Sequence, residues 1–264
     1  MLKNNTASQN DKRALALSQY APISLSKMND VALLDRTDTK YVLPVATLQQ
    51  IMPRLANAYY ALVVNQQRRS QYQTLYFDSP EFTLYRRHHA GILDRYKVRS
   101  REYVDSQLAF LEVKHKTNKG RTIKRRMRTP ELVTLLSSET AEFLDGTYPY
   151  DAAELEPKLW VEYTRTTLVS RYRKERVTID LDLCYAWNGQ TVSLPHIAIV
   201  EVKQNGFSRY SDIERQLHEH QVRAIGFSKY CVGISLLYPG VKHNNFKPKL
   251  RLVEKLGGSH VYIH

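Results

Sequence analysis

The chain has 264 residues, 42% of them hydrophobic and 25% charged, which is enough apolar material for a buried core and argues against a disordered polymer. Its 39 Lys plus Arg against 26 Asp plus Glu give a net charge of +13, so an anionic partner is expected: nucleic acid, a membrane surface or a phosphorylated substrate. The two cysteines, Cys184 and Cys231, sit in no metal-ligand spacing and form no disulfide framework, which fits a reducing compartment.

Taken in chain order, residues 1–25 read as a loose lead-in without the apolar segment of a signal peptide. No stretch reaches the roughly 18 consecutive apolar residues of a spanning helix, so a cytoplasmic protein is expected. Residues 32–44, ALLDRTDTKYVLP, contain a strand over 34–42 with Arg36, Asp38 and Lys40 on one face. Pro44 is placed to open a helix through TLQQIMPRL, which Pro53 kinks or ends. ALVV (61–64) and YQTLYFD (72–78) read as strands, and Ser79-Pro80 precedes a helical EFTLYRRHH. The adjacent His88 and His89 cannot share a helix face, which speaks against a metal site there.

The pattern is clearest in LDRYKVRSREYVDSQLAFLEVKHK, residues 93–116. Lys97, Arg99 and Arg101 alternate with small or apolar residues. After a polar turn, Glu112, Lys114 and Lys116 do the same. In an ordinary sheet such a face is simply solvated. TNKGRTIKRRM follows, with a turn at Gly120 and basic residues around it, readable as a solvated edge strand or a polyanion contact. Thr129-Pro130 is expected to cap a helix through ELVTLLSSETAEFL.

The second half repeats the habit. In LWVEYTRTTLVSRYR, Tyr163 shares parity with Arg165; KERVTIDLDL puts Arg176, Thr178, Asp180 and Asp182 on one face; IAIVEVKQNG pairs Glu201 with Lys203. Ser211 and Glu214 have capping-box spacing for a helix through Gln221, and SKYCVGISLLY reads as a final buried helix before a peripheral basic tail over 241–264. Strand after strand thus carries charge on one face. If helices cover the outside, the charges point inward. That predicts an α+β fold built on a closed antiparallel β-barrel with a polar lumen, in one domain over residues 26–240. A lumen lined by cations needs a polyanion, and its scattered carboxylates suit a divalent cation.

RTDTKYVLP, TLYFDS, the DRYKVRSREY–FLEVKHK hairpin, EYTRTTL, RVTIDLDL, IVEVK and GFSKYCVG occur in an order that resembles the triphosphate tunnel metalloenzymes. Among these the chain is most similar to the polyphosphate-polymerase domain of the vacuolar transporter chaperone complex, over roughly residues 30–238. The resemblance implies an eight-stranded antiparallel tunnel, helices outside it, and Mn²⁺ or Mg²⁺ as cofactor. It implies that Lys40, Arg99, Arg101, Lys114, Arg165, Arg176 and Lys229 act on the phosphates, with Lys97, Lys203 and Ser228 also touching the phosphate chain. Glu201 resembles the metal-binding carboxylate, followed by Glu112 and Asp38; Asp180 and Asp182 read as counter-charges to lumen arginines. Many tunnel enzymes begin with Glu-x-Glu-x-Lys, whereas this chain has Arg36-Thr-Asp38-Thr-Lys40, which argues against a simple two-metal triphosphatase site.

The implied reaction is synthesis of polyphosphate from ATP or another nucleoside triphosphate. Hydrolysis of tripolyphosphate or a nucleoside triphosphate is the alternative, and a polyphosphate-binding module is a third reading. No nucleic-acid-binding motif is found. The chain lacks the membrane segments of the yeast complexes, so any translocation calls for a membrane partner.

Overall fold

A computed structural model describes residues 15–29, 36–206, 211–257 and 262–263. In chain order the elements are β1 (Ala21–Ile23), α1 (Leu25–Asn29), β2 (Arg36–Pro44), α2 (Val45–Leu55), β3 (Tyr59–Leu62), β4 (Ser70–Asp78), α3 (Thr83–His89), β5 (Arg95–Tyr103), β6 (Leu108–Lys116), β7 (Thr122–Thr129) and α4 (Ser138–Asp145). Then follow β8 (Glu156–Ser170), β9 (Glu175–Trp187), β10 (Gln190–Leu194), β11 (Ile197–Asn205), α5 (Asp212–Glu219), α6 (Lys229–Leu237), α7 (Lys247–Gly257) and β12 (Tyr262–Ile263). Among the described residues the fold is α+β, with seven α-helices and a large, mainly antiparallel sheet in which β1 runs parallel to β3.

The chain divides into two compact units. The first comprises residues 1–70, 164–182 and 195–227, and orders its strands β2–β11–β9–β8–β3–β1. Its core joins Leu48, Ile51 and Met52 of α2 to Val177 and Ile179 of β9, Val200 and Val202 of β11, and Ile213 and Leu217 of α5. The second comprises residues 71–163, 183–194 and 228–264, ordered β12–β10–β9–β8–β4–β5–β6–β7. Its core gathers Leu75, Phe77, Val98, Leu111 and Val113 with Leu84 and Leu144. The long β8 and β9 contribute residues to both units. Pairing stops at β2 in the first unit and at β7 in the second, so among the described residues hydrogen bonds close no barrel.

Several expectations shift. Residues 1–14 of the expected lead-in, and residues 34 and 35 of the first charged strand, lie outside the described residues. Residues 15–25 are not loose: Leu15 and Tyr20 are buried, and the Tyr20 hydroxyl donates to the Met52 carbonyl at 2.5 Å. Pro44 ends β2 and stands just before the first turn of α2, and Pro53 is accommodated two residues before the helix ends. The helix expected from residue 131 starts only at Ser138. Upstream, Thr129 donates to the Glu131 carbonyl and the Val133 amide donates to Ser100, which commits that backbone to a non-helical path. Ser137 then caps α4 in a capping box with Thr140.

α5 is capped by Ser211 as read, but the Glu214 side chain turns elsewhere. It accepts from Tyr41 and from Gln204, whose amide also donates to Glu175, all buried beneath the sheet. α6 is buried on most of its surface but is followed by α7. Two contacts seat it. Asp78, at the end of β4, accepts the Ser79, Leu84 and Tyr85 amides at 2.7–2.8 Å and the Tyr230 hydroxyl. At Gly233, a Cβ would meet Tyr185 at 2.5 Å and Leu159 at 2.6 Å, so only hydrogen fits.

Candidate phosphate-binding and metal-binding faces

In the second unit the β5–β6 register sets Arg99 opposite Glu112 and Lys97 opposite Lys114, while β4 sets Tyr76 beside Arg99 and Thr74 beside Arg101. The β6–β7 register adds Lys124 opposite Lys114 and Arg126 opposite Glu112. Directly opposed residues share a face, so the period-two reading of β5 and β6 holds and extends across four strands. Lys97, Arg99, Arg101, Lys114, Lys124 and Arg126 lie on this face, and among the described residues of β5, β6 and β7 Glu112 is the carboxylate that accompanies them.

The geometry is tightly specified. Glu112 is 1% exposed and takes Arg99 Nε at 2.8 Å and Nη2 at 2.7 Å, with Lys124 at its other oxygen. Arg99 Nη1 donates to the Tyr76 hydroxyl at 3.1 Å. Arg101, also buried, donates to Thr74 at 3.2 Å and lies 5.5 Å and 5.9 Å from the ring centres of Tyr72 and Tyr163. Lys229 places its ammonium 4.4 Å over the Tyr163 ring, and Lys97 donates to Ser228 at 2.8 Å. Every second-unit residue named from the sequence for phosphate contact therefore falls on this face or at its border.

Titration reports the same imbalance. Burial would raise the Tyr76 phenol, yet Arg99, Arg101 and Lys97 bring it down to about 8. Burial and the neighbouring arginines pull the Lys124 ammonium down to about 8, although Glu112 opposes them. Burial would raise the Glu112 carboxyl, but Arg99, Arg101 and Lys124 hold it well below the usual carboxylate range. The phenol that ionises early reports a positive potential, and at Lys124 the same arginines add to a shift that burial begins.

The first unit carries a different face. Its registers align Asp38, Lys203 and Arg176 in one row and Lys40, Glu201 and Thr178 in the next. Lys203 Nζ bridges Glu201 Oε2 at 2.7 Å and Asp38 Oδ2 at 3.2 Å, while Lys40 Nζ lies 3.4 Å from Glu201 Oε1. Arg165 holds Asp180 through two bonds of 2.6 and 2.8 Å. Burial would raise the Glu201 carboxyl, but Lys40, Lys203 and Arg165 hold it well below its usual range. Asp182 departs from the expected row. Its φ of 53° breaks the alternation of β9, and its carboxylate accepts from Thr164, the neighbour of Arg165 with opposite parity.

Two carboxylates bridged by an ammonium are an oxygen donor pair that a hard divalent cation can take once phosphate oxygens complete its shell. Directly opposite Glu201, Thr178 is buried and its hydroxyl has no hydrogen-bond partner among the described residues, which leaves a polar atom for a bound water or phosphate oxygen. Asp38 and Glu201 thus fit a divalent metal. Glu112, the remaining carboxylate named from the sequence, belongs to the second unit's face and is engaged by Arg99 and Lys124. Among the described residues, no cluster of three or more His, Cys, Asp or Glu side chains is arranged to hold a metal unaided.

Sequence reading missed Tyr76, Lys124, Arg126 and Thr178 as site residues. Lys124 and Arg126 alternate correctly, but Arg125 between them hides the period. Tyr76 lies in YQTLYFD, a strand without a basic residue to mark its face.

The VTC domain model matches residues 35–238. No curated protein matches the chain. Among solved structures, a Hippeastrum protein described as the putative adenylyl cyclase HpAC1 with a dominant triphosphatase activity aligns with a TM-score of 0.52 and 16% identity. The alignment covers 76% of this chain and 96% of that one. The PH1819 protein from Pyrococcus horikoshii OT3 aligns with a TM-score of 0.43 and 13% identity, covering 76% and 98%. With the ordered charged strands, the paired carboxylates and a family match over most of its length, the chain belongs to the VTC domain family.

Proposed function

We propose that this protein catalyses divalent-metal-dependent phosphoryl transfer on polyphosphate or triphosphate, forming polyphosphate from ATP or another nucleoside triphosphate. The observation that carries the reading is the Arg99–Arg101 face, where Lys97, Lys114, Lys124 and Arg126 accompany the two arginines around the buried carboxylate of Glu112. Phosphoryl transfer asks mainly for in-line positioning and neutralisation of charge. Arg99 and Arg101 supply planar paired donors for phosphate oxygens, and Lys97, Lys114 and Lys229 supply point charges along the chain. A chain-end phosphate is itself an oxyanion and brings its own nucleophile. On the first unit's face, Lys40, Arg165, Arg176 and Lys203 are further phosphate ligands, and Asp38 and Glu201 would hold Mg²⁺ or Mn²⁺. Held there, the ion would supply neutralisation of the charge that develops in phosphoryl transfer.

The closed eight-stranded tunnel and its cytoplasmic setting belong to this proposal. No helix among the described residues is long and apolar enough to cross a membrane; a membrane partner that exports the product is a further part of the proposal. Water in place of the chain end gives a triphosphatase, a second reading kept because of the activity described for the Hippeastrum fold neighbour.

The test is incubation with ATP and Mn²⁺ followed by gel staining for polyphosphate, with Glu201→Gln as control. A ladder of chains that drops by roughly 10²-fold or more in the variant, the scale of several kcal/mol of lost charge stabilisation, is expected. Free phosphate without chains would establish the triphosphatase. Polyphosphate binding without either product would leave a binding module.

A further inference from the structure

The strands that carry Glu112, Lys114 and Lys124 have a reverse side, and a cavity of about 260 Å³ opens on it. Its floor is the other parity of β6 and β7. Val113 stands directly opposite Arg125, and His115 directly opposite Ile123. Residues 145–149, at the end of α4 and just beyond it, form a wall, and the whole cavity belongs to the second unit.

One part of the cavity is aromatic. The Tyr96 and His115 rings stack 4.1 Å apart with their planes 10° from parallel, and the buried Tyr148 meets Tyr96 edge-on at 6.1 Å. His115 Nε2 lies 2.5 Å from Asp94 Oδ1, which fixes the imidazole plane. Beside these rings Ile123 is 46% exposed.

The other part carries two opposite charges that do not meet. Arg125 Nη1 donates to the Gly146 carbonyl at 3.1 Å. Asp145, one residue earlier and also in the lining, has no side-chain hydrogen bond or ion pair among the described residues. It is the last residue of α4, where the helix dipole is negative and a carboxylate gains from a nearby cation. The Phe143 and Leu144 carbonyls at that end already accept from Thr147, so Asp145 is the acceptor left to an incoming ammonium.

A guanidinium and a carboxylate that leave each other free, next to stacked rings, complement three parts of one small molecule: a carboxylate, an ammonium and an aromatic side chain. We propose that this cavity binds a free aromatic α-amino acid, with its carboxylate on Arg125, its ammonium on Asp145 and its ring against Tyr96, His115 and Tyr148. A nucleoside monophosphate would use Arg125 and the rings but would bring its phosphate close to the Asp145 carboxylate, so the paired charges favour the zwitterion. The site stands independently of the phosphate reading, since its residues alternate with Glu112, Lys114 and Lys124 along the same strands.

The test is calorimetric binding of phenylalanine, N-acetylphenylalanine and phenethylamine to the wild type, Asp145→Asn and Arg125→Ala, with tripolyphosphate present throughout to occupy the opposite face. Saturable phenylalanine binding at roughly millimolar Kd or tighter is expected. Each variant should weaken it by about tenfold, the value of one charge-assisted contact. The losses should also sort by charge. Asp145→Asn should leave N-acetylphenylalanine, which has no ammonium, within about twofold, and Arg125→Ala should do the same for phenethylamine, which has no carboxylate. Melting curves check the fold, and Asp145→Asn decides the matter if Arg125→Ala does not fold. No saturable phenylalanine binding by the wild type would overturn the site, as would equal losses for all three ligands. AMP bound more tightly than phenylalanine and lost in Arg125→Ala would overturn it in favour of a nucleotide.

Discussion

The two charged faces are built from the same device, alternating polar residues on antiparallel strands, and they end in opposite electrostatic states. On the first unit's face, Lys40 and Lys203 share Glu201 and Asp38, and Arg165 has Asp180 to itself. Nearly every cation there has an acid at hand. On the second unit's face one buried carboxylate, Glu112, answers a row of arginines and lysines. The first face is balanced and can exchange an ammonium for a metal ion. The second gathers more basic than acidic side chains among the described residues, which suits a phosphate chain. A charged face in a sequence is therefore not one thing, and counting the acids that interleave the cations separates a metal-competent face from an anion-holding one.

The strongest way to break the comparison is Arg99→Ala. Lumen parity alone predicts lost turnover with little loss of stability, but the structure adds a cost. Removing Arg99 leaves Glu112 buried with Lys124 as its remaining ion-pair partner among the described residues, so unfolding free energy should fall by about 3–5 kcal/mol along with tripolyphosphate affinity. Arg99→Ala/Glu112→Gln should recover most of the stability and none of the affinity. Recovery of both in a denaturation and binding series would show that Arg99 serves Glu112 alone.

A pH titration is the next largest effect. Tyr76 and Lys124 both have folded values near 8, lowered from 10.0 and 10.5. Between those limits the unfolded chain keeps two protons that the folded chain has shed, so stability of the ligand-free protein should rise as pH climbs from about 8 to 10. Tyr76→Phe should remove part of that rise. With tripolyphosphate bound, both groups should hold their protons to higher pH, and binding at pH 8–9 should take up protons, seen as a buffer-dependent heat. A flat stability profile would mean the second face is not unbalanced.

The smallest effect sharpens the first face. Lys203→Ala releases Asp38 and Glu201 from their shared ammonium, so Mn²⁺ affinity without phosphate should improve several-fold, followed by the metal's electron paramagnetic resonance signal. Weaker Mn²⁺ binding would show that Lys203 organises the carboxylates rather than competing for them.

Much of this was legible because a short turn fixes register. With Val104–Ser106 as a tight link, the parity of Lys97, Arg99 and Arg101 carried over to Glu112 and Lys114 without error. The Ser211 cap was visible for the same reason: its partner lies three residues away. What stayed hidden depends on distance in sequence. Nothing near Glu112 says that Lys124 reaches it from another strand. Nothing near Glu214 says that its carboxylate leaves the capping position for Tyr41 and Gln204. Closure of the sheet was argued from the need to hide charge, and burial of that kind does not dictate hydrogen bonds between edges.

α6 shows how placement can depend on residues that touch no ligand. Tyr230 is pinned to Asp78, Gly233 is pressed against Tyr185 and Leu159, and Lys229 sits one residue before the first of these points. A cylinder held at two points cannot roll, so the lysine has no azimuth to adjust. A methyl group added at residue 233 would act as a wedge under one end of the helix. It would swing Lys229 off the Tyr163 ring, and a packing fault would register as a kinetic one.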